Sequence, residues 1–367
     1  MQAIPSSALR YVRPLTGIRA LAALLVLGTH AEQNVPAGFQ SLLPFFARGY
    51  LGVDLFFILS GFIITHVYLA SLAAPNRAAV QIFLWHRLIR LYPVHVTVLA
   101  GLLLMVYVAH ALHISINEPD QWRGSSLIWH LTLLHAWGVL EVTGWNQPSW
   151  SISAEWFAYL LFPLLAPALM FVRDRLTALT LALTALAAMA VIYAITGWPL
   201  INELGAPSLT RVSGEFLCGA ALCRAVALGK GLPGMSGDVL GLGALAAFVA
   251  GASAGLLPDM GLIVLLAVII FAAATCVGPL AAFLGSAPLV WLGEISYSIY
   301  MVHFPLLIAI RRMWERMGFA AWGSAAHSLA FAATITFVIA VSAALFYLVE
   351  RPARTRLRNR MGVLAPA

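Results

Sequence analysis

An arginine and a histidine, Arg19 and His30, stand eleven positions apart in the first apolar run of the chain, Leu15-Thr-Gly-Ile-Arg-Ala-Leu-Ala-Ala-Leu-Leu-Val-Leu-Gly-Thr-His30. On an α-helix eleven steps of about 100° bring both side chains to nearly the same face, roughly 16 Å apart along the axis. Titratable groups inside a lipid-spanning helix are costly, so such a pair marks a functional site by default. Titrating near neutrality, an imidazole suits a general base that activates a hydroxyl, and His30 sits in the outer half of its helix, followed by Glu32-Gln33-Asn34. The ordinary alternatives are a snorkelling Arg19 and a buried neutral His30 bonded to a neighbour.

Arg87 and Arg90 form a second basic pair, in Phe83-Leu-Trp-His-Arg-Leu-Ile-Arg-Leu-Tyr-Pro93. Their spacing of three puts both guanidinium groups on one helical face. Guanidinium forks bind phosphate in bidentate fashion, so the pair suits a phosphorylated ligand, against the plain alternative of basic flanking at a membrane boundary. The acidic candidate is Glu155, in Pro148-Ser-Trp-Ser-Ile-Ser-Ala-Glu155, either as a carboxylate that orients His30 or as helix-terminal capping beside Ser151 or Ser153. Asp54, Ser153 and Trp150 are further candidates for substrate contact near the same outer depth. Arg211 and Glu215, spaced i,i+4, are expected to form a structural ion pair. Five tryptophans, Trp122, Trp129, Trp137, Trp145 and Trp150, suggest an interfacial aromatic belt, with sugar stacking as the alternative.

The elements that must position these residues are membrane helices. The chain is 62% hydrophobic and only 10% charged, with a mean hydropathy of +0.91, whereas soluble domains carry about 25% charged residues. Ten spans are expected, near 15–33, 50–71, 92–113, 151–172, 178–197, 210–228, 237–256, 259–277, 293–311 and 327–349. The short apolar stretch 126–140, interrupted by His130 and His135, is expected to be re-entrant or interfacial. With the N-terminus cytoplasmic, this threading puts fifteen of the twenty-one Lys and Arg inside, among them Arg10, Arg77, Lys230 and the arginines from Arg351 to Arg360. Both termini are then cytoplasmic, and the net charge of +7 reflects topology rather than nucleic-acid binding. The first run carries Arg19 and lacks a small-residue cleavage site, so it reads as a retained helix. The whole of 1–367 reads as one all-α integral-membrane domain. Cys218, Cys223 and Cys276 have no metal-ligand spacing and read as buried thiols, and no metal is expected.

These motifs together resemble the acyltransferase family 3 proteins, the integral-membrane O-acyltransferases of bacterial surface and secreted glycans. The opening arginine, ten residues and histidine are met by Arg19 and His30. Gly52-Val-Asp-Leu-Phe-Phe-Ile-Leu-Ser-Gly61 looks like the family's second-helix motif, Arg87 and Arg90 like its paired arginines, and Trp150 through Glu155 like its Trp-Ser-Ile-Ser-x-Glu pattern. Ser296-Tyr-Ser-Ile-Tyr-Met-Val-His303 and Tyr347-Leu-Val-Glu-Arg-Pro352 are typical closing segments. The resemblance runs from about Arg13 to about Arg354. It implies a bacterial inner-membrane enzyme that takes acetyl from cytoplasmic acetyl-CoA to a sugar hydroxyl of a glycan or lipid-linked precursor. Lipopolysaccharide O-antigen, exopolysaccharide, a lipochitooligosaccharide, peptidoglycan and a small secreted metabolite are all open as acceptors. Arg19, Arg87 and Arg90 would hold the CoA phosphates, with His30 as base or acyl carrier and Glu155 as its partner. The rival reading is a transporter or flippase for a glycolipid or organic acid, since intramembrane Arg, His, Glu and Asp also serve proton and ion pathways. A Gly/Pro-broken helix pair in matching halves, which would favour that rival, is not visible.

Overall fold

A computed structural model describes residues 12–32, 44–113, 119–229, 235–318 and 322–360. Arg10, Gln33, Asn34, Lys230 and both chain termini, on which parts of the reading above rest, lie outside them. Among the described residues the secondary structure is helical, without strands. The helices are α1 (Val12–Glu32), α2 (Gly52–Leu72), α3 (Arg77–Ala111), α4 (Leu127–Leu131), α5 (Trp150–Met170), α6 (Arg175–Thr196), α7 (Ala206–Leu228), α8 (Gly237–Ala254), α9 (Asp259–Thr275), α10 (Pro279–Leu284), α11 (Ala287–Arg316), α12 (Ser324–Leu345) and α13 (Arg351–Arg360).

Each of the ten expected spans is a helix. Eight candidate spans among the described residues are long and apolar enough to cross a bilayer. α9 is apolar but has only 17 residues, and α7 carries Arg211, Glu215 and Arg224. This is an all-α, multi-pass membrane bundle. The third span differs in extent: α3 is one helix of 35 residues, so at about 1.5 Å per residue it outruns a hydrocarbon core of about 30 Å. Arg87 and Arg90 therefore ride on the same helix as the span rather than on an approach to it. Asn76 starts α3 by accepting from the Ala79 N–H at 2.9 Å, and Asp174 starts α6 by accepting from the Thr177 N–H at 2.8 Å.

α1 runs through the middle of the bundle and packs most extensively on α11, while α2 packs on α7. Small residues make these crossings close. A Cβ on Gly293 of α11 would strike the Thr16 carbonyl of α1, and one on Gly219 of α7 would strike the Ile58 carbonyl of α2. Without a hydrophobic force between helices in lipid, such small contacts are what let helices associate. Leu164, Ile195 and Leu176 lie exposed on the outside of the bundle, as a lipid-facing surface requires.

Residues 126–140 do not cross. α4 has five residues, and the chain then turns with Leu133 at φ 59° and Gly138 at φ 85°. Three buried histidines tie this irregular backbone down. His95 Nε2 is 2.9 Å from the His130 carbonyl, His130 Nε2 is 3.1 Å from that of Thr143, and His135 Nε2 is 2.9 Å from that of Ser149. Burial pushes the His130 and His135 imidazoles down from their ordinary value, which keeps them neutral. Non-helical backbone at membrane depth is tolerated only where protein groups satisfy it, and these rings do so.

Candidate functional site

The polar residues gather at two depths. At one, Arg19 from α1, Arg87 and Arg90 from α3, and Glu155 from α5 line a cavity of about 140 Å³, together with Ser60 of α2 and Tyr297 of α11. Arg87 donates to the Tyr68 hydroxyl at 3.0 Å. Arg90 is paired with the buried carboxylate of Glu350 and stacks over Tyr297, its guanidinium carbon 4.8 Å from the ring centre. A single π-helical turn, Phe346–Glu350, carries Glu350, whose other oxygen accepts from Ser298 at 2.7 Å. Arg19 has neither a hydrogen-bond nor an ion-pair partner among the described residues, although Arg90, Glu350, Arg354 and Glu155 are its charged neighbours. Three cations and one carboxylate thus face this cavity, which makes it a seat for anions.

At the other depth His30 lines a second, smaller cavity with Tyr50, Gln147, Trp150, Glu203 and Arg211. His30 does not meet Glu155. That carboxylate instead accepts from Ser60 and from Tyr159 in the arginine-lined cavity, because α5 carries Glu155 more than one turn past Trp150 and away from the histidine. The ring nitrogen beside His30 belongs to His303 of α11, whose Nε2 lies 3.1 Å from His30 Nδ1. His303 is fully buried, and its Nδ1 lies 2.7 Å from the Tyr300 carbonyl. Carbonyls only accept, so His303 carries its proton on Nδ1, and in the neutral ring Nε2 accepts from His30. His30 Nδ1 is also 3.0 Å from the Val26 carbonyl. Both contacts place the proton of His30 on Nδ1 and make Nε2 its basic atom.

Glu203 sits in the loop between α6 and α7, where Gln147 Nε2 donates to both of its oxygens at 3.3 Å. Burial raises its carboxyl from 4.5 to about 7, opposed by the Gln147 hydrogen bond. Sequence reasoning missed both residues. His303 had a signal, because Tyr297, Tyr300 and His303 recur every three residues on an apolar helix, and polar groups there mark function. Glu203, a lone acid in a connecting loop, had none.

The remaining expected contacts are structural. Asp54 does not reach a cavity: it is fully buried and grips Arg211, accepting from Nε at 2.8 Å and also from Nη2. A desolvated guanidinium demands a bidentate carboxylate, and Asp54 supplies it. Glu215, the expected partner of Arg211, stands 3.9 Å away. Ser153 is likewise spent on backbone, accepting from the Ala136 N–H at 3.0 Å and donating to the Leu133 carbonyl at 2.8 Å, which fixes the non-crossing segment to α5. Trp150 lines the histidine cavity and lies under Arg211, 5.4 Å from its guanidinium carbon. Trp145 and Trp150 are buried and so do not belong to an interfacial belt. The three cysteines are buried free thiols.

The model of the Acyl_transf_3 family, described as an acyltransferase domain, matches residues 14–348. The chain belongs to this family. It is 30% identical to acyltransferase MdmB of Streptomyces mycarofaciens over 378 residues, which cover 95% of this chain and 93% of that protein. It is 26% identical to O-acetyltransferase OatA of Staphylococcus aureus, over 82% of this chain and 51% of that protein. It is 25% identical to the putative peptidoglycan O-acetyltransferase YrhL of Bacillus subtilis, over 95% of this chain and 55% of that protein. The chain thus spans nearly all of MdmB and about half the length of OatA and YrhL. No solved structure matches. This membrane acyltransferase is an enzyme, and the transporter reading gives way to it.

Proposed function

We propose that the protein is an O-acetyltransferase that moves acetyl from acetyl-CoA, bound at the arginine-lined cavity, to a sugar hydroxyl presented at the histidine-lined cavity. The observation that carries this reading is the unneutralised Arg19 in a cavity that also presents Arg87 and Arg90. An anion of several phosphates fits there, and CoA is an acyl carrier of that kind. The rise of roughly 16 Å from Arg19 to His30 suits the extended pantetheine arm between the phosphates and the thioester. Arg90, already paired with Glu350, acts with half of its fork, and Arg19 and Arg87 hold the larger share.

His30 Nε2 takes the proton of the acceptor hydroxyl, whose oxygen bonds to the thioester carbonyl carbon. The carbon–sulfur bond breaks, and the proton passes to the departing thiolate. His303 keeps Nδ1 of His30 protonated and the ring oriented, the part an acidic residue fills in other histidine bases. Glu203, held by Gln147 beside Trp150, offers the acceptor a hydrogen-bonding group. Charge asymmetry of the loops supports an arrangement with the arginine end and both termini on the cytoplasmic side of a bacterial inner membrane. Then the donor enters from the cytoplasm, and a glycan or lipid-linked sugar arrives from outside. Purified protein in nanodiscs, given acetyl-labelled CoA and glycan fractions of the cell surface, should deposit label in base-labile ester. Absence of label from every fraction would contradict the reading.

A further inference from the structure

The arginine-lined and histidine-lined cavities are separated by a layer one side chain thick, in which Val53 of α2 and Tyr300 of α11 face both. Just before α2, Tyr50 faces the histidine cavity alone; on α2, Val53 faces both, and Phe56 and Ser60 face the arginine cavity alone. Along α11, Ser296 and Tyr297 face the arginine cavity and Tyr300 faces both. One turn further, His303 holds His30. A molecule passing from phosphate seat to base therefore meets these two side chains last.

Tyr300 is pinned. Its hydroxyl donates to the Pro148 carbonyl at 2.9 Å and accepts from Ser151 at 2.7 Å. Its ring packs edge-on against Phe56, at 5.9 Å between centres, and tilted against His303 at 5.8 Å. Two hydrogen bonds and two ring contacts fix its rotamer, so this wall does not yield to a larger group. Val53, 7% exposed and β-branched, is similarly stiff at χ1.

We infer that Val53 and Tyr300 form a partition that sets the length of the acyl group transferred, admitting acetyl and turning away longer chains. The inference rests on the donor reading above: a thioester entering from the arginine end presents its carbonyl at this layer, and whatever extends past the carbonyl must fit against these two residues. Rigid walls discriminate a single methylene by about tenfold to two-hundredfold.

The experiment compares acetyl-, propionyl- and butyryl-CoA, each labelled in the acyl group. Membrane vesicles from cells making the full chain are the enzyme, and label retained in glycan is the readout. Wild type should prefer acetyl. Val53→Ala should raise the butyryl-to-acetyl ratio of kcat/KM by at least about tenfold. Val53→Ile presses on the same wall from the other side and should cut propionyl transfer more than acetyl transfer. An unchanged ratio in Val53→Ala, or an equal loss for both donors in Val53→Ile, overturns the partition and leaves the donor reading intact. Wild-type vesicles that transfer none of the three groups overturn the donor reading, and the partition with it.

Discussion

Arg211 and Arg19 are both arginines carried inside apolar helices, and the protein treats them in opposite ways. Arg211 is 2% exposed and lines the histidine cavity with its fork already gripped by Asp54 and its remaining Nη1 donating to the Leu200 carbonyl at 3.0 Å. Arg19 opens onto a cavity with Arg87 and Arg90 and has no bonded partner among the described residues. A buried charge must be paired, because removing its partner leaves an uncompensated ion in low dielectric. The fold completes that pairing at Arg211 and leaves it incomplete at Arg19, so the first arginine belongs to the scaffold and the second is left open to an anion. Residue type alone would have ranked them together; their partners separate them.

Breaking the closed pair should have the largest effect on the fold. Asp54→Ala strands Arg211 and should cost about 3–5 kcal/mol of stability, read as a large drop in thermal midpoint in detergent; an unshifted midpoint would make Arg211 and Arg19 equivalent after all. Removing the open arginine should do the reverse. Arg19→Ala should weaken acetyl-CoA binding by about tenfold to a hundredfold, the worth of a hydrogen bond to a charged group, and leave the melting temperature unchanged or higher. Lost stability with unaltered binding would assign Arg19 to the scaffold. At the histidine end, His303→Gln should lower kcat by about tenfold to a hundredfold, as for other groups that orient a histidine. KM should change little and the pH–rate profile should shift, which a merely structural role would not produce.

The smallest effect concerns Glu203. Its carboxyl is raised from 4.5 to about 7, so the folded protein keeps a proton that the unfolded chain releases across that window. Stability should therefore fall as pH rises from about 4.5 to about 7, because the folded state binds more protons there. Glu203→Gln should remove this slope, visible in melting curves taken across the same range. A slope that persists in the variant would assign the titration to other groups.

The helices were legible in the sequence because long apolar runs in lipid admit little else, and the non-crossing stretch was legible because His130 and His135 interrupt a run too short to span. Arg19, Arg87 and Arg90 could be grouped from their positions in those runs. Pairing was not legible. Asp54 meets Arg211 across α2 and α7, 157 positions away, and no periodicity encodes such a contact. Glu155 is expected at an outer depth near that of His30, yet a helix turn separates the cavity it faces from the one His30 faces. His303 was visible as part of a polar stripe on α11 but not as a neighbour of α1, since the close approach depends on Gly293 meeting the backbone at Thr16.

The central claim is that the two ends divide the work, with phosphates held at the arginines and the proton taken at His30. Purified His30→Ala, assayed in parallel for acetyl-CoA binding by calorimetry and for acetyl transfer to surface glycan, tests it directly. Binding should stay within about twofold of wild type while transfer falls by about a hundredfold or more, the contribution typical of a general base. Transfer at the wild-type rate, or loss of acetyl-CoA binding together with transfer, would contradict the account.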